Sequence, residues 1–127
     1  MKTILAVDFG KKRIGLAWLQ PGIDVILPYG IIDGKDESEK LKKLVDLIKS
    51  ESITDVIMGW PLSENGDENE ATARVKAFAE KIQAKSGVSI EYIDERHTSK
   101  AADQMDGDAS RDEKAAMVIL DTYVQSQ

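Results

Sequence analysis

The sequence predicts an α/β domain built on a mixed five-stranded sheet with helices on its faces. Three observations predict it. The chain opens with three extended segments at short spacing, changes to a helical period near residue 37, and then alternates strand, helix, strand and helix. Strands that follow one another closely pair as an antiparallel meander. Strands separated by a helix favour parallel pairing with a right-handed crossover.

The first strand is the apolar run Ile4-Leu5-Ala6-Val7, too short for a helix and ended by Asp8. Gly10, with no side chain, permits a tight turn, which Lys11, Lys12 and Arg13 ring with positive charge. In the second strand Ile14, Leu16 and Trp18 alternate with Gly15, Ala17 and Leu19, which places small residues on one face. After a turn at Pro21-Gly22, residues 24–32 form a third extended segment. Pro28 and Gly30 suit it to the edge of a sheet.

Leu41, Leu44, Val45 and Ile48 then fall on one helical face, which predicts a helix over 37–50 with Ser38 as its N-cap. Residues 54–58 form a fourth strand, ended by Gly59-Trp60-Pro61, and 61–68 read as a loop. A longer amphipathic helix carries Ala71, Val75, Phe78, Ala79 and Ile82 and stops at Gly87. The last strand, 88–93, runs into Asp94-Glu95-Arg96. Thr98 or Ser99 caps a short helix through Met105, and 106–109 is a loop. Ser110 caps a final helix to about Val124, with Asp112 and Glu113 at its favourable N-terminal end.

Composition narrows the chemistry. The 127 residues, 42% hydrophobic and 31% charged, are those of a globular chain, read as a single domain over 1–127. The absence of cysteine excludes disulfides and thiolate metal sites, and one histidine, His97, excludes an all-histidine zinc site. Any metal chemistry must therefore use oxygen ligands. The chain has no apolar run of membrane-spanning length and no signal-peptide core, so the expected location is cytoplasmic. The net charge of −6 argues against a nucleic-acid partner, but the charge is uneven. Residues 1–50 hold nine Lys/Arg against seven Asp/Glu, and 51–127 hold eight against sixteen, so a basic patch can form in the first half.

Three acidic positions lie at element ends that such a sheet can gather. Asp8 ends the first strand, Glu95 with Asp94 beside it ends the last, and Asp112 starts the final helix. Sites in open α/β sheets form beyond the carboxyl ends of the strands. Ala115 and Ala116, one turn after Asp112, let that helix approach the sheet closely. A phosphodiester repels a nucleophile, and Mg²⁺ or Mn²⁺ held by carboxylates offsets that repulsion. Each acid also has a local reading: Asp8 as a turn cap, Glu95 as a partner of Arg96, and Asp112 as a helix cap. Arg96 can contact a phosphate, His97 can shuttle a proton, and Trp60 can stack on a base or pack at a strand exit. Lys11, Lys12 and Arg13 can hold a nucleic-acid backbone or form a solvated hairpin tip.

Four motifs stand in order along the chain: Asp8-Phe-Gly-Lys-Lys-Arg-Ile-Gly-Leu-Ala17; Gly59-Trp-Pro-Leu62 with Asn65-Gly66; Asp94-Glu-Arg-His-Thr98; and Asp112-Glu-Lys-Ala-Ala116 with Ile119-Leu120. Together they resemble the YqgF family of bacterial ribonuclease H-like proteins, described as Holliday junction resolvase-like or pre-16S rRNA nucleases. The resemblance implies a ribonuclease H-like fold and a nuclease dependent on Mg²⁺ or Mn²⁺, with a two-metal-type mechanism. It implies a site at Asp8, Glu95 and Asp112, with Asp94 beside them. The implied substrate is precursor 16S rRNA, or alternatively branched DNA, and the expected assembly is a monomer or weak homodimer. The chain departs from the family pattern at Trp60, where a small aliphatic residue is usual, and at Thr98-Ser99, where the family has Thr-Thr. Its 105–110 segment is short and acidic where the family's is longer and basic, which favours weaker nucleic-acid binding or a non-catalytic binding module. An Asp-x-Gly after a strand also opens the phosphate loop of actin-like and sugar-kinase proteins. Those enclose a nucleotide between two such domains.

Overall fold

A computed structural model describes residues 2–19, 22, 25–94, 107 and 109–126. Its elements are β1 (Ile4–Phe9), β2 (Ile14–Leu19), β3 (Ile26–Ile32), α1 (Glu37–Ser50), β4 (Asp55–Trp60), α2 (Glu70–Ser86), β5 (Ser89–Asp94) and α3 (Arg111–Gln125). The strands form one sheet in the order β3-β2-β1-β4-β5. β1 pairs antiparallel with β2, and β2 antiparallel with β3. β4 runs parallel to β1, and β5 parallel to β4. This is the mixed five-stranded α/β sheet that the element order predicts. The 98–105 segment, read as a short helix, lies outside the described residues.

Strand alternation divides the core in two. Leu5, Val7, Ile14, Leu16, Val56 and Met58 point to the face covered by α1 and α2, where Leu44, Phe78 and Ile82 meet them. Ile4, Ala6, Ala17 and Ile57 point to the opposite face, covered by α3 through Ala116, Ile119, Leu120 and Tyr123. The small residues of β1 and β2 thus lie under α3 and allow a helix to pack closely there.

Several boundaries differ from the sequence reading, each for a physical reason. β4 continues through Gly59 and Trp60, because β5 pairs with both: Gly59 faces Ile93 and Trp60 faces Asp94. The N-cap of α1 is Asp36, whose carboxylate accepts from the Glu39 amide at 2.9 Å, so Ser38 lies inside the helix. β3 is an edge strand, as Pro28 and Gly30 suggest. It is bulged between them, since Pro28 faces Ala17 while Gly30 faces Leu16. Gly87 ends α2 in the left-handed conformation, at φ 73°. Ser110 caps α3 in a capping box with Glu113.

Candidate active site

The carboxyl ends of β1, β3, β4 and β5 point to one edge of the sheet, and the β1–β2 turn and the first turn of α3 reach the same edge. Asp8 occupies the fifth position of β1. It alternates with Val7 and Phe9, so it shares the α3 face with Ile4 and Ala6. Across the β1–β2 ladder Asp8 faces Gly15. A Cβ built on Gly15 would overlap the backbone carbonyl of Asp112. The start of α3 therefore rests on the bare backbone of β2, in the place where a side chain would stand. Asp8 and Asp112 are brought together through that one glycine, although they come from opposite ends of the chain. Ala115 and Ala116, both buried, keep the first turns of α3 against the sheet.

Asp112 has a cationic partner. Arg13 Nε donates to Asp112 Oδ2 at 2.9 Å. The turn that carries Arg13 is tied by the Gly10 amide, which donates to the Asp8 and Arg13 carbonyls at 3.1 Å each. The hydrogen bond to Asp112 and then its charge hold the Arg13 guanidinium above its ordinary pKa, and Asp33 adds in the same direction. All three basic turn residues are exposed, and of them Arg13 is paired with Asp112, with Lys11 and Lys12 beside it on the same tip.

The other face of this edge is aromatic. Phe9 stacks on Phe78 with ring centres 4.3 Å apart, and Arg74 lies over Phe9 at 5.1 Å. Trp60 is half-buried beside the α1/α2 core and packs against Tyr92 at 4.6 Å. Asp94 follows Ile93, which packs on the α3 side, so alternation places Asp94 on this second face, across from Asp8. The β4–α2 loop is fastened by Asn69. Its amide donates to the Pro61 carbonyl and to Ser63 Oγ at 3.0 Å each, and its side-chain oxygen caps α2.

Glu95, Arg96 and His97 lie outside the described residues. Among the described residues no group of three acidic or histidine side chains is close enough to hold a metal ion. The two carboxylates that do share a face are hard oxygen donors, the kind that Mg²⁺ and Mn²⁺ take. Two features of the site escaped the sequence reading. The Arg13–Asp112 pair joins residues 99 apart, so no local pattern could reveal it. Gly15 did carry a signal, since it stands among the small residues on one face of the second strand, but what fills the space above it is set by the tertiary fold.

Comparison with known proteins agrees with this architecture. The family model described as "RuvX: Holliday junction resolvase" matches residues 2–126. A protein of Dictyoglomus turgidum named "Putative pre-16S rRNA nuclease" is 33% identical over 97% of this chain and 94% of its own length. A protein of the same name from Bordetella parapertussis is 32% identical over 98% of this chain and 95% of its own. Among solved structures, Thermus thermophilus RuvC in complex with a Holliday junction substrate superposes with a TM-score of 0.66 at 10% identity, covering 99% of this chain and 96% of that one. A second Thermus thermophilus RuvC structure superposes at 0.62 and 9% identity, covering 98% and 96%. That likeness is one of fold, the ribonuclease H-like architecture of the resolvases. Among the described residues no helix is long and apolar enough to cross a membrane. With its model matched from residue 2 to residue 126, the chain belongs to the RuvX family, the resolvase-like group that the four motifs resemble.

Proposed function

We propose that the chain is a nuclease that hydrolyses phosphodiester bonds in structured nucleic acid with Mg²⁺ or Mn²⁺. The observation that carries this reading is the convergence of Asp8 and Asp112 over Gly15 at the strand-exit edge. Both carboxylates would hold the ion, with Glu95, the residue after β5, as the third oxygen donor. A two-metal-type arrangement is the form we assign to it. When bound, such ions neutralise the phosphodiester's charge, activate water and stabilise the leaving oxygen.

The chain's own residues do the remaining work. The β1–β2 pairing fixes Asp8, and the close seat of α3 on Gly15 fixes Asp112 beside it. Lys11 and Lys12 on the exposed tip, and Arg96 beyond β5, meet backbone phosphates flanking the scissile bond. Trp60 lies at the same edge on the opposite face, where it would stack on a base of a strand passing over that edge.

The first-choice substrate is precursor 16S rRNA, cut in maturing its 5′ end. The names of the curated relatives support it. Branched DNA is the second, supported by the family's description. Cleavage of an extended precursor-rRNA fragment and a four-way DNA junction, with Mn²⁺ at low salt, separates the two. Asp8→Asn removes ligand charge at constant shape, so it abolishes cleavage of whichever substrate the wild type cuts and leaves the circular dichroism spectrum unchanged. Undiminished turnover in that variant would discard the assigned site.

A further inference from the structure

The Arg13–Asp112 ion pair joins the turn that would bind phosphate to a carboxylate that would bind metal. We propose that Arg13 is a cation-gated phosphate-binding residue: it neutralises Asp112 until a divalent ion binds there, and is then released to the nucleic-acid backbone. This rests on the reading of Asp112 as a metal ligand.

Four observations support the exchange. Arg13 engages Asp112 through a single nitrogen, Nε, to a single oxygen, Oδ2, which is not the two-pronged grip of a permanent structural pair. The Arg13 side chain is 46% exposed, so the guanidinium can swing outward without unpacking the core. Asp112 is less exposed, at 27%, and is held by the backbone of α3 over Gly15, so Arg13 is the partner able to move. Lys11 and Lys12 adjoin it in the chain on the same turn, so a released Arg13 extends a two-cation tip to three.

The charges dictate the direction. A guanidinium touching one oxygen of Asp112 repels a divalent ion approaching the same carboxylate. Ion and arginine therefore compete for Asp112, and binding one weakens the other by the same factor. A phosphodiester favours the released arginine, so substrate and metal bind cooperatively through this residue. Metal alone is held less tightly than the carboxylates would otherwise hold it.

Calorimetric titration with Mn²⁺ of the wild type, Arg13→Gln and Asp112→Asn tests the exchange. The expected result is that Arg13→Gln binds Mn²⁺ about tenfold more tightly than wild type, because a competing charge is gone. Asp112→Asn is expected to bind at least about tenfold more weakly. Unchanged or weakened Mn²⁺ binding in Arg13→Gln, with Asp112→Asn weakened, would overturn the gating and leave the metal site standing. Unchanged binding in Asp112→Asn would remove the metal site, and the gating with it. A second measurement needs no variant. On titration with Mg²⁺, the Arg13 Nε–H resonance of the wild type moves toward that of a free arginine. A fixed resonance at saturating Mg²⁺ would equally overturn the exchange.

Discussion

The two faces of the sheet meet at the same edge and are built in opposite ways. On the α1/α2 face, Phe9, Phe78, Trp60 and Tyr92 fill the edge with aromatic rings, and the strand ends are held by packing. On the α3 face, Asp8, Gly15 and Asp112 leave little side-chain bulk, and the order comes from backbone in contact with backbone. One period-two alternation in β1 assigns Asp8 to the sparse face and Phe9 to the crowded one. A ring anchors the strand one residue beyond the carboxylate, so the acid is held firmly without being buried among side chains that would block a ligand. Rigidity and access, which compete within one cluster, are here divided between two faces.

Three substitutions would break that division if it is wrong. Phe78→Ala removes a fully buried ring and its stack with Phe9, and should cost about 4 kcal/mol in urea-induced unfolding. If the faces are separable, the folded fraction keeps its Mn²⁺ affinity. Gly15→Ala adds one methyl group, which the Asp112 carbonyl cannot accommodate. It should cost roughly 3 kcal/mol and also abolish Mn²⁺ binding, because the start of α3 must shift. A Gly15→Ala protein with normal metal affinity would show that the close seat of α3 does not position Asp112. Ser110→Ala removes the α3 cap, whose hydroxyl accepts from the Glu113 amide at 3.2 Å. It should cost about 1 kcal/mol by thermal melting, with a small loss of metal affinity.

Most of the fold could be read from short-range pattern. Apolar runs, the change of period at residue 37, the Gly87 stop and the Ser110 cap all act within a few residues of themselves. The misreadings share one cause, competition between local signals and pairing elsewhere. Gly59 and Pro61 resemble a strand terminus, yet β5 carries β4 on through Trp60. Asp36 and Ser38 are both good cap residues, and it is the Asp36 carboxylate that accepts from the Glu39 amide and starts α1. Asp94 and Glu95 are neighbours in sequence, so a strand's alternation would divide such a pair between faces. Until the register is known, neither can be assigned. The acids of the proposed site were legible as element ends, but Arg13 was legible only as one of three equivalent cations. Its pairing with Asp112 appears only when α3 docks.

The seat of α3 on Gly15 also sets an order in time. A chain emerging from the ribosome presents β1 and β2 early and α3 nearly a hundred residues later. Until residue 112 has been made, the site lacks the Asp112 carboxylate, and the apolar surface of Ile4, Ala6, Ala17 and Ile57 has no cover. A partly synthesised chain would therefore be both inert and adhesive. The proposed cutting activity would be the last property the molecule acquires, arriving with the helix that also removes its tendency to aggregate. For an enzyme whose proposed target is the precursor of ribosomal RNA, that sequence of events would keep the site silent while its own chain is still attached to a ribosome.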